Sequence, residues 1–548
     1  MGDGHDALSQ RRAGDALSPE VDVCIIGAGA SGATAAAALG RAGLQVLVLE
    51  RGPWPEAADF GADELANVNR HYLTPDPDLN PRTLRSSTST AAVPAAFSNV
   101  PQMVGGGTVH WTGLVPRFQP SDFRQRSLHG VVAHSSLEDW PIDYEDLEPY
   151  YDRVEWELGV SGRAGANIHE GPRRRDYPCP PLPPAPYTER FRTGCEKLGL
   201  SSFPTPSALL SKPFGSRPKT VVHPFIERHG DPTATKSTAL NTFVPAALAT
   251  GRVTFQPGTY VHALERARDG TVAAAIFTDS EGRNRAQSAR LFILACGAIE
   301  STRLWLLSGL PDASGQVGRN LTLHEFSCAL GTFDEPVFGW MGGGHIARST
   351  LDFYETQDDR GFIGGCHVFA SGPRSPWPIN FTVPASPLWG AAAKNVDRTL
   401  FNHTMAAAFL LHDLPQESNR VDLDPEVTDD WGLPVARITH RMHTNDIAQA
   451  AWFAARCGEI LAAAGATQTW TFPITTITGN ASHQHGTLRM GTDPERCVLD
   501  SDCRAFEVPN LYAVDGSGFP TGSGLNPTLT IMANAWRVAD RIAEAARR

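Results

Sequence analysis

The stretch VDVCIIGAGASGATAAAALGRAGLQVLVLE, residues 21–50, decides the fold. Val21 to Ile26 is a short apolar run of the kind that forms a buried strand. Gly27-Ala28-Gly29-Ala30-Ser31-Gly32 follows at once, and then an alanine-rich helix is predicted from Ala33 to Ala42. Gly43 closes that helix, and Gln45 to Leu49 supplies a second strand that ends in Glu50. Glycines at these positions allow a tight turn, close approach to a pyrophosphate and close helix packing, while the acid suits ribose hydroxyls. Strand, helix, second strand and acid fall in register, so the spacing predicts a Rossmann-like dinucleotide site with Gly27, Gly29, Ser31, Gly32 and Glu50 as contacts.

A second informative region lies near the C-terminus. Ser482 to Gly491 reads SHQHGTLRMG, and Gly524 to Thr530 reads GLNPTLT. The first stretch carries histidines in a glycine-containing loop; the second places Asn526 at a helix start, after the apolar run Leu511–Val514 and the turn Asp515-Gly516-Ser517. Pro527 suits a first helical turn because its missing N–H would be unpaired there anyway. The exposed N–H groups of such a helix start favour a developing anion. A histidine base, a polar partner and an anion-stabilising helix end are the parts that alcohol oxidation requires.

Composition narrows the possibilities. A chain of 548 residues has room for two substructures, and 41% apolar with 19% charged residues is ordinary for a globular enzyme. The net charge of −12 disfavours nucleic acid or an anionic membrane as main partner. No apolar run reaches a membrane span, and the polar first 20 residues lack a signal core, so a cytoplasmic location is expected. Nine scattered cysteines form no C-x-x-C pair, so neither a zinc site nor a disulfide framework is implied. The stretch Phe326–Phe401, rich in Trp, Phe, Pro and Gly, reads either as an active-site wall or lid or as irregular surface. Asn419–Leu423 and Val435–His440 alternate as half-buried strands.

Taken with VGGGTVHWTG (104–113), WPIDYEDLEPYY (140–151), LFILACGAIESTRLWLL (291–307) and VGRNLTLH (317–324), the sequence resembles the glucose–methanol–choline (GMC) oxidoreductases nearly end to end. The resemblance implies an α/β fold: a discontinuous FAD-binding domain (15–118, 237–326 and 478–548), with a substrate-binding α+β domain of mixed or antiparallel sheet and connecting segments (119–236 and 327–477). It implies that the two alternating strands help to floor the substrate pocket. The likeness is strongest to the branch of pyranose oxidases and glycoside 3-oxidases, with a histidine before G-T and an asparagine before P-T-L-T. The further cofactor contacts it implies are Arg51, Gly106, Gly107, His110, Trp111, Thr112, Val261, Asp515, Gly516, Pro527 and Thr528. In some relatives a histidine followed by Trp-Thr is bonded covalently to the flavin, as His110 would be here; in others a similar residue carries no link.

The chemistry then expected is oxidation of a secondary hydroxyl, at C2 or C3 of a pyranose or glycoside, with electrons passing to O2 or to a quinone or other carrier. His483 occupies the base position of the motif, and His485 is a neighbour that spacing alone does not exclude. Asn526 would hold the substrate oxygen without titrating. The alternatives are a dehydrogenase of a polyol, sugar acid or natural-product alcohol, a non-catalytic flavin binder, and an NAD-dependent reductase. Arg489, His324, His440 and His443 read as structural, while Trp340, Trp377 and Trp389 suit either stacking on a sugar or core packing.

Overall fold

In a computed structural model the described residues are 18–61, 63, 81–95, 101–223, 226, 229–324, 326–342, 346–372, 387, 389–472, 474 and 482–548. The expected nucleotide strand is β1 (Ser18–Ile26), followed by α1 (Ala30–Arg41) and β2 (Val46–Leu49). The helix begins three residues earlier than its alanine run suggests, because Gly29 already serves as its N-cap. β1 pairs in parallel with β2 on one side and with β3 (Asn284–Leu294) on the other, and Val253–Gln256 extends the sheet beyond β2. On the far side β3 meets an antiparallel pair, Tyr260–Arg266 and Val272–Thr278. Val23, Cys24 and Ile25 have no exposed surface, as expected of a parallel strand covered on both faces. β3 leads into α2 (Ala298–Leu307).

The stretch from Phe326 is not irregular surface. It supplies three of the six strands of an antiparallel sheet, in the order Gln468–Thr471, Phe326–Thr332, Thr404–Leu410, β4 (His367–Ser371), Arg348–Thr350 and Phe203–Pro204. The helix Thr444–Ala463 covers this sheet, burying Phe453, Cys457, Ile460 and Leu461. Trp340 donates to Asn402 Oδ1 at 2.8 Å, and Trp389 is 86% exposed; Trp377 lies outside the described residues.

The two alternating segments form the expected strands. Arg420–Thr428 and Pro434–Thr439 join Thr83–Arg85 and Val93–Pro94 in a separate four-stranded sheet. Buried Arg303 of α2 draws that sheet toward the nucleotide side, donating to Pro434 O (2.9 Å) and pairing with Asp429 (2.7 Å). They therefore do not belong to the six-stranded sheet.

The chain returns to the first sheet at its end. β5 (Gln484–His485) pairs with Thr322–Leu323, β6 (Leu511–Ala513) adds in parallel to β3, and α3 (Thr528–Ala546) packs against α1. The helix Tyr144–Leu158 also lies on α3, where Tyr151 bonds Thr530 Oγ1 at 2.9 Å, and its apolar face belongs to the first core. Among the described residues no helix is long and apolar enough to cross a membrane.

Candidate active site

The fingerprint loop is shaped by backbone crowding. Gly27 has φ +104°, and a Cβ there would lie 2.5 Å from Ala295 O. A Cβ on Gly32 would lie 1.9 Å from Gly27 O, and one on Gly106 2.7 Å from the Gly29 Cα. The 103–106 loop is seated on the fingerprint by Gly105 N–H to Ala28 O (2.9 Å) and Val104 N–H to Pro53 O (3.0 Å). Glu50 accepts from the N–H groups of Ala28 and Gly52, both at 2.8 Å. Burial pushes its carboxyl above the usual range, and these two donors oppose the shift. The Arg51 guanidinium lies over the rings of Tyr260 (4.7 Å) and Trp431 (4.8 Å), which pack on each other at 4.4 Å. Val261, next to Tyr260, is buried in its strand.

The loop expected to carry flavin contacts is fixed by a residue that no motif announced. Lys236 has no exposed surface, and its ammonium donates to Val109 O (2.9 Å), Trp111 O (3.2 Å) and Ile226 O (2.6 Å). Trp111 Nε1 donates to Ser237 O (3.1 Å), and His110 stands edge-on to Phe60 at 5.7 Å. Removing the ammonium strands three carbonyls, each costing about 1–3 kcal/mol when buried unpaired. Lys236→Met is therefore expected to destabilise the protein by about 3 kcal/mol or more and to lower the temperature of flavin release in a fluorescence melt. A variant that melts like the wild type would show that the loop is held by other means.

At the other end of the site, the SHQHGT loop is clamped by backbone bonds. Gly486, Leu488 and Met490 donate to Gly516, Ser517 and Gly518, at 3.1, 2.9 and 2.8 Å, and Thr487 donates to Arg319 O (2.9 Å). A Cβ on Gly486 (φ +74°) would lie 2.0 Å from Asn320 O. Asp515 is occupied within the protein: it accepts from Gly297 N–H (2.9 Å), Ser301 Oγ (2.5 Å) and Ser517 N–H (2.9 Å). It ties the N-terminus of α2 to the C-terminal loop, so its side chain organises the nucleotide face.

The structure separates the two histidines that spacing left open. His485 is fully buried, stacked on Phe519 at 5.4 Å, with both ring nitrogens sealed from solvent. His483 is only half-buried, and its Nδ1 lies 3.1 Å from His324 Nδ1. Burial lowers the imidazole of His483 to about 4 and that of His485 to about 3. His324 faces the Gly522 turn, where a Cβ would lie 3.9 Å from its Nε2. That turn leads through Gly524, held by Tyr354 (3.1 Å) and His367 N–H (3.1 Å), to Asn526 and Pro527, the N-cap of α3. The other conspicuous polar residues are braces. Arg489 donates to Arg496 O and Ser136 O, His440 pairs with Asp413 at 2.7 Å, and His443 accepts from Asn445 N–H at the start of its helix. The nine cysteines are free thiols.

Comparison with known proteins agrees with this architecture. Residues 86–326 and 415–535 each match the GMC oxidoreductase family, and residues 25–56 match an NAD(P)-binding Rossmann-like domain. A 2-methyl-1,2-propanediol dehydrogenase of Mycolicibacterium austroafricanum is 30% identical, covering 95% of both chains. A 6'''-hydroxyparomomycin C oxidase of Streptomyces lividus is 32% identical, covering 95% of this chain and 91% of that protein. In fold the chain is similar to the crystal structure of pyridoxine 4-oxidase from "Mesorbium loti", with a TM-score of 0.62, 19% identity, and coverage of 95% and 99% of the two chains. The chain belongs to the GMC oxidoreductase family.

Proposed function

We propose that this protein oxidises a hydroxyl of a polyol or sugar-like substrate to the carbonyl, using FAD. The observation that carries the reading is the half-buried His483, its Nδ1 held by His324, on a loop bonded to residues 516–518, together with Asn526 at the start of α3. The residues fit the cofactor. α1 and α3 both begin without a side-chain cap or an acid in the first turn, so their N–H groups are available to anionic partners. Gly106 packs directly on Gly29, and nothing stands within 4 Å of a Cβ placed on Gly107, so the backbone there is open to a ligand. Gly27, Gly29, Ser31 and Gly32 would hold the pyrophosphate, and Glu50 the ribose, with Arg51 and Val261 at the adenine end. Gly106, Gly107, His110, Trp111 and Thr112 would line one side of the ring, and Gly516, Pro527 and Thr528 the other, on a face organised by Asp515.

FAD supplies the two-electron acceptor for the substrate C–H bond. The chain supplies the rest. His483 Nε2 takes the hydroxyl proton, which a neutral imidazole can do throughout the physiological range. Asn526 donates to the substrate oxygen and fixes the angle of the C–H bond. The finer form of the reading is oxidation at ring C2 or C3 of a pyranose or glycoside, supported by the H-x-x-G-T and N-P-T-L-T motifs. The names of the two relatives add a vicinal diol and an aminoglycoside to the candidates.

The test is anaerobic mixing of the yellow holoprotein with pyranoses, glycosides, 1,2-diols and aminosugars, followed by air. Bleaching by one class names the substrate; rapid recolouring marks an oxidase and slow recolouring a dehydrogenase with another acceptor. No bleaching by any member overturns the reading. Acid precipitation decides the link at His110. Flavin that stays in the pellet, and leaves it in His110→Ala, is covalently held; flavin in the supernatant is not.

A further inference from the structure

The turn that leads to Asn526 leans on a phenol that no motif announced. Tyr354 lies in the connection between Arg348–Thr350 and β4, and it is buried. Its hydroxyl oxygen accepts from Gly524 N–H at 3.1 Å, two residues ahead of Asn526. The contact is steric as well as polar. A Cβ on Gly524 would lie 2.4 Å from Gly365 O and 3.1 Å from Tyr354 Cε2. On its far side the same hydroxyl meets Asp122, 2.7 Å from Oδ1 and 3.0 Å from Oδ2. Asp122 is buried too and is itself fixed, because its Oδ2 accepts from Gln119 N–H (2.7 Å) at the start of the short helix Pro120–Arg124.

Two further bonds run beside this one. Ser121 Oγ donates to Glu355 at 2.8 Å, and Thr356 Oγ1 lies 3.3 Å from His129 Nε2. Residues 354, 355 and 356 are thus each tied to the segment 121–129. The phenol stands on a support that belongs neither to the catalytic loop nor to the fingerprint. A buried peptide N–H keeps its acceptor or rotates to find another. Whichever of Tyr354 and Asp122 carries the proton between them, the phenol oxygen retains a lone pair for Gly524. From Gly524 the chain passes through Leu525, whose N–H is taken by Ser523 Oγ (3.0 Å), to Asn526 and Pro527. The fixed φ of Pro527 leaves little freedom to absorb a rotated Gly524 peptide, so the rotation reaches Asn526.

We infer that Tyr354, set in place by Asp122, is a positioning residue that fixes the Gly524 peptide and with it the aim of the Asn526 amide. The inference rests on Asn526 being the partner of the substrate oxygen, as proposed above.

Hydrogen exchange in the holoprotein tests the brace without any substrate. Amides in peptides spanning 522–526 should exchange about 10-fold faster in Tyr354→Phe, while those of α1 keep the wild-type rate. Unchanged exchange at 522–526 overturns the inference, and so does faster exchange spread over the whole chain. Kinetics test the consequence. Tyr354→Phe should slow bleaching at saturating substrate about 10- to 100-fold with little change in KM, the cost of a misaimed donor. In an Asn526→Ala background the same change should add nothing, because both variants remove one function. Losses that multiply in the double variant give Tyr354 a role apart from Asn526 and overturn the proposal. Asp122→Asn, which keeps the shape of the side chain and removes one acceptor, takes the same two measurements if Tyr354→Phe fails to fold. Should no alcohol bleach the wild type, the proposed function falls, and exchange at 522–526 still decides whether the brace holds.

Discussion

Alanine at position 483 is expected to slow bleaching of the flavin by substrate about 10²–10⁴-fold, the usual contribution of a positioned base. The bound flavin spectrum should not change, because His483 belongs to the loop clamped to residues 516–518 and lies apart from the fingerprint cradle. The pH profile should carry the same signature. A base must be neutral to accept a proton, and burial has lowered His483 to about 4. The wild-type rate should therefore stay level from pH 8 to about 5 and fall as the pH drops through about 4. A limb near the ordinary histidine value would assign the base elsewhere, and a His483→Ala variant that bleaches at the wild-type rate would remove His483 from the mechanism. His485 offers no reachable nitrogen, so its replacement should act through packing on Phe519.

Gly32→Ala is expected to yield a colourless protein. The added methyl would stand 1.9 Å from Gly27 O and 3.2 Å from the Ala295 Cβ. The first partner is backbone inside a one-turn loop, so no side-chain rotation relieves the overlap. Either the turn opens or α1 lifts away from β3, and both outcomes remove the helix start that would meet the pyrophosphate. Gly43→Ala is the control. Its φ of +94° costs about 1–2 kcal/mol for an L side chain, yet nothing lies within 4 Å of the added methyl. That variant should lose stability and keep its flavin. A yellow Gly32→Ala with the wild-type flavin content would show that the turn is looser than its contacts imply.

These positions show why some of the molecule is legible in its sequence. Glu50 acts through Ala28 and Gly52, and Gly32 meets Gly27, within one β–α–β unit; Gly27 crowds distant Ala295, yet local spacing marks all three. The SHQHGT and GLNPTLT segments are short and chemically distinctive, so they too stand out. Other features depend on pairings between distant segments. Residues 326–371 look irregular because their strands are short and separated by glycine- and proline-rich loops; they become a sheet only when Thr404–Leu410 enters between them. The alternation in Arg420–Thr439 reports strands without saying which sheet receives them, and Arg303 settles that from more than a hundred residues away. His483 and His485 share one spacing pattern, and only exposure tells them apart. Lys236 sits in TATKST, which carries no signal for a buried cation.

The packing of α1 against α3 also dictates an order of assembly. The dinucleotide strand and helix leave the ribosome long before α3, which packs on α1 and is encoded some 490 residues later, since α1 ends at Arg41 and α3 begins at Thr528. Throughout synthesis the small-residue face of α1 therefore waits without its partner, as does the β3 edge that will receive Leu511–Ala513. The half of the catalytic centre translated first is the last to close. Premature termination between Glu50 and Thr528 should leave a chain that holds the fingerprint and retains no flavin, a natural substrate for chaperones and proteases.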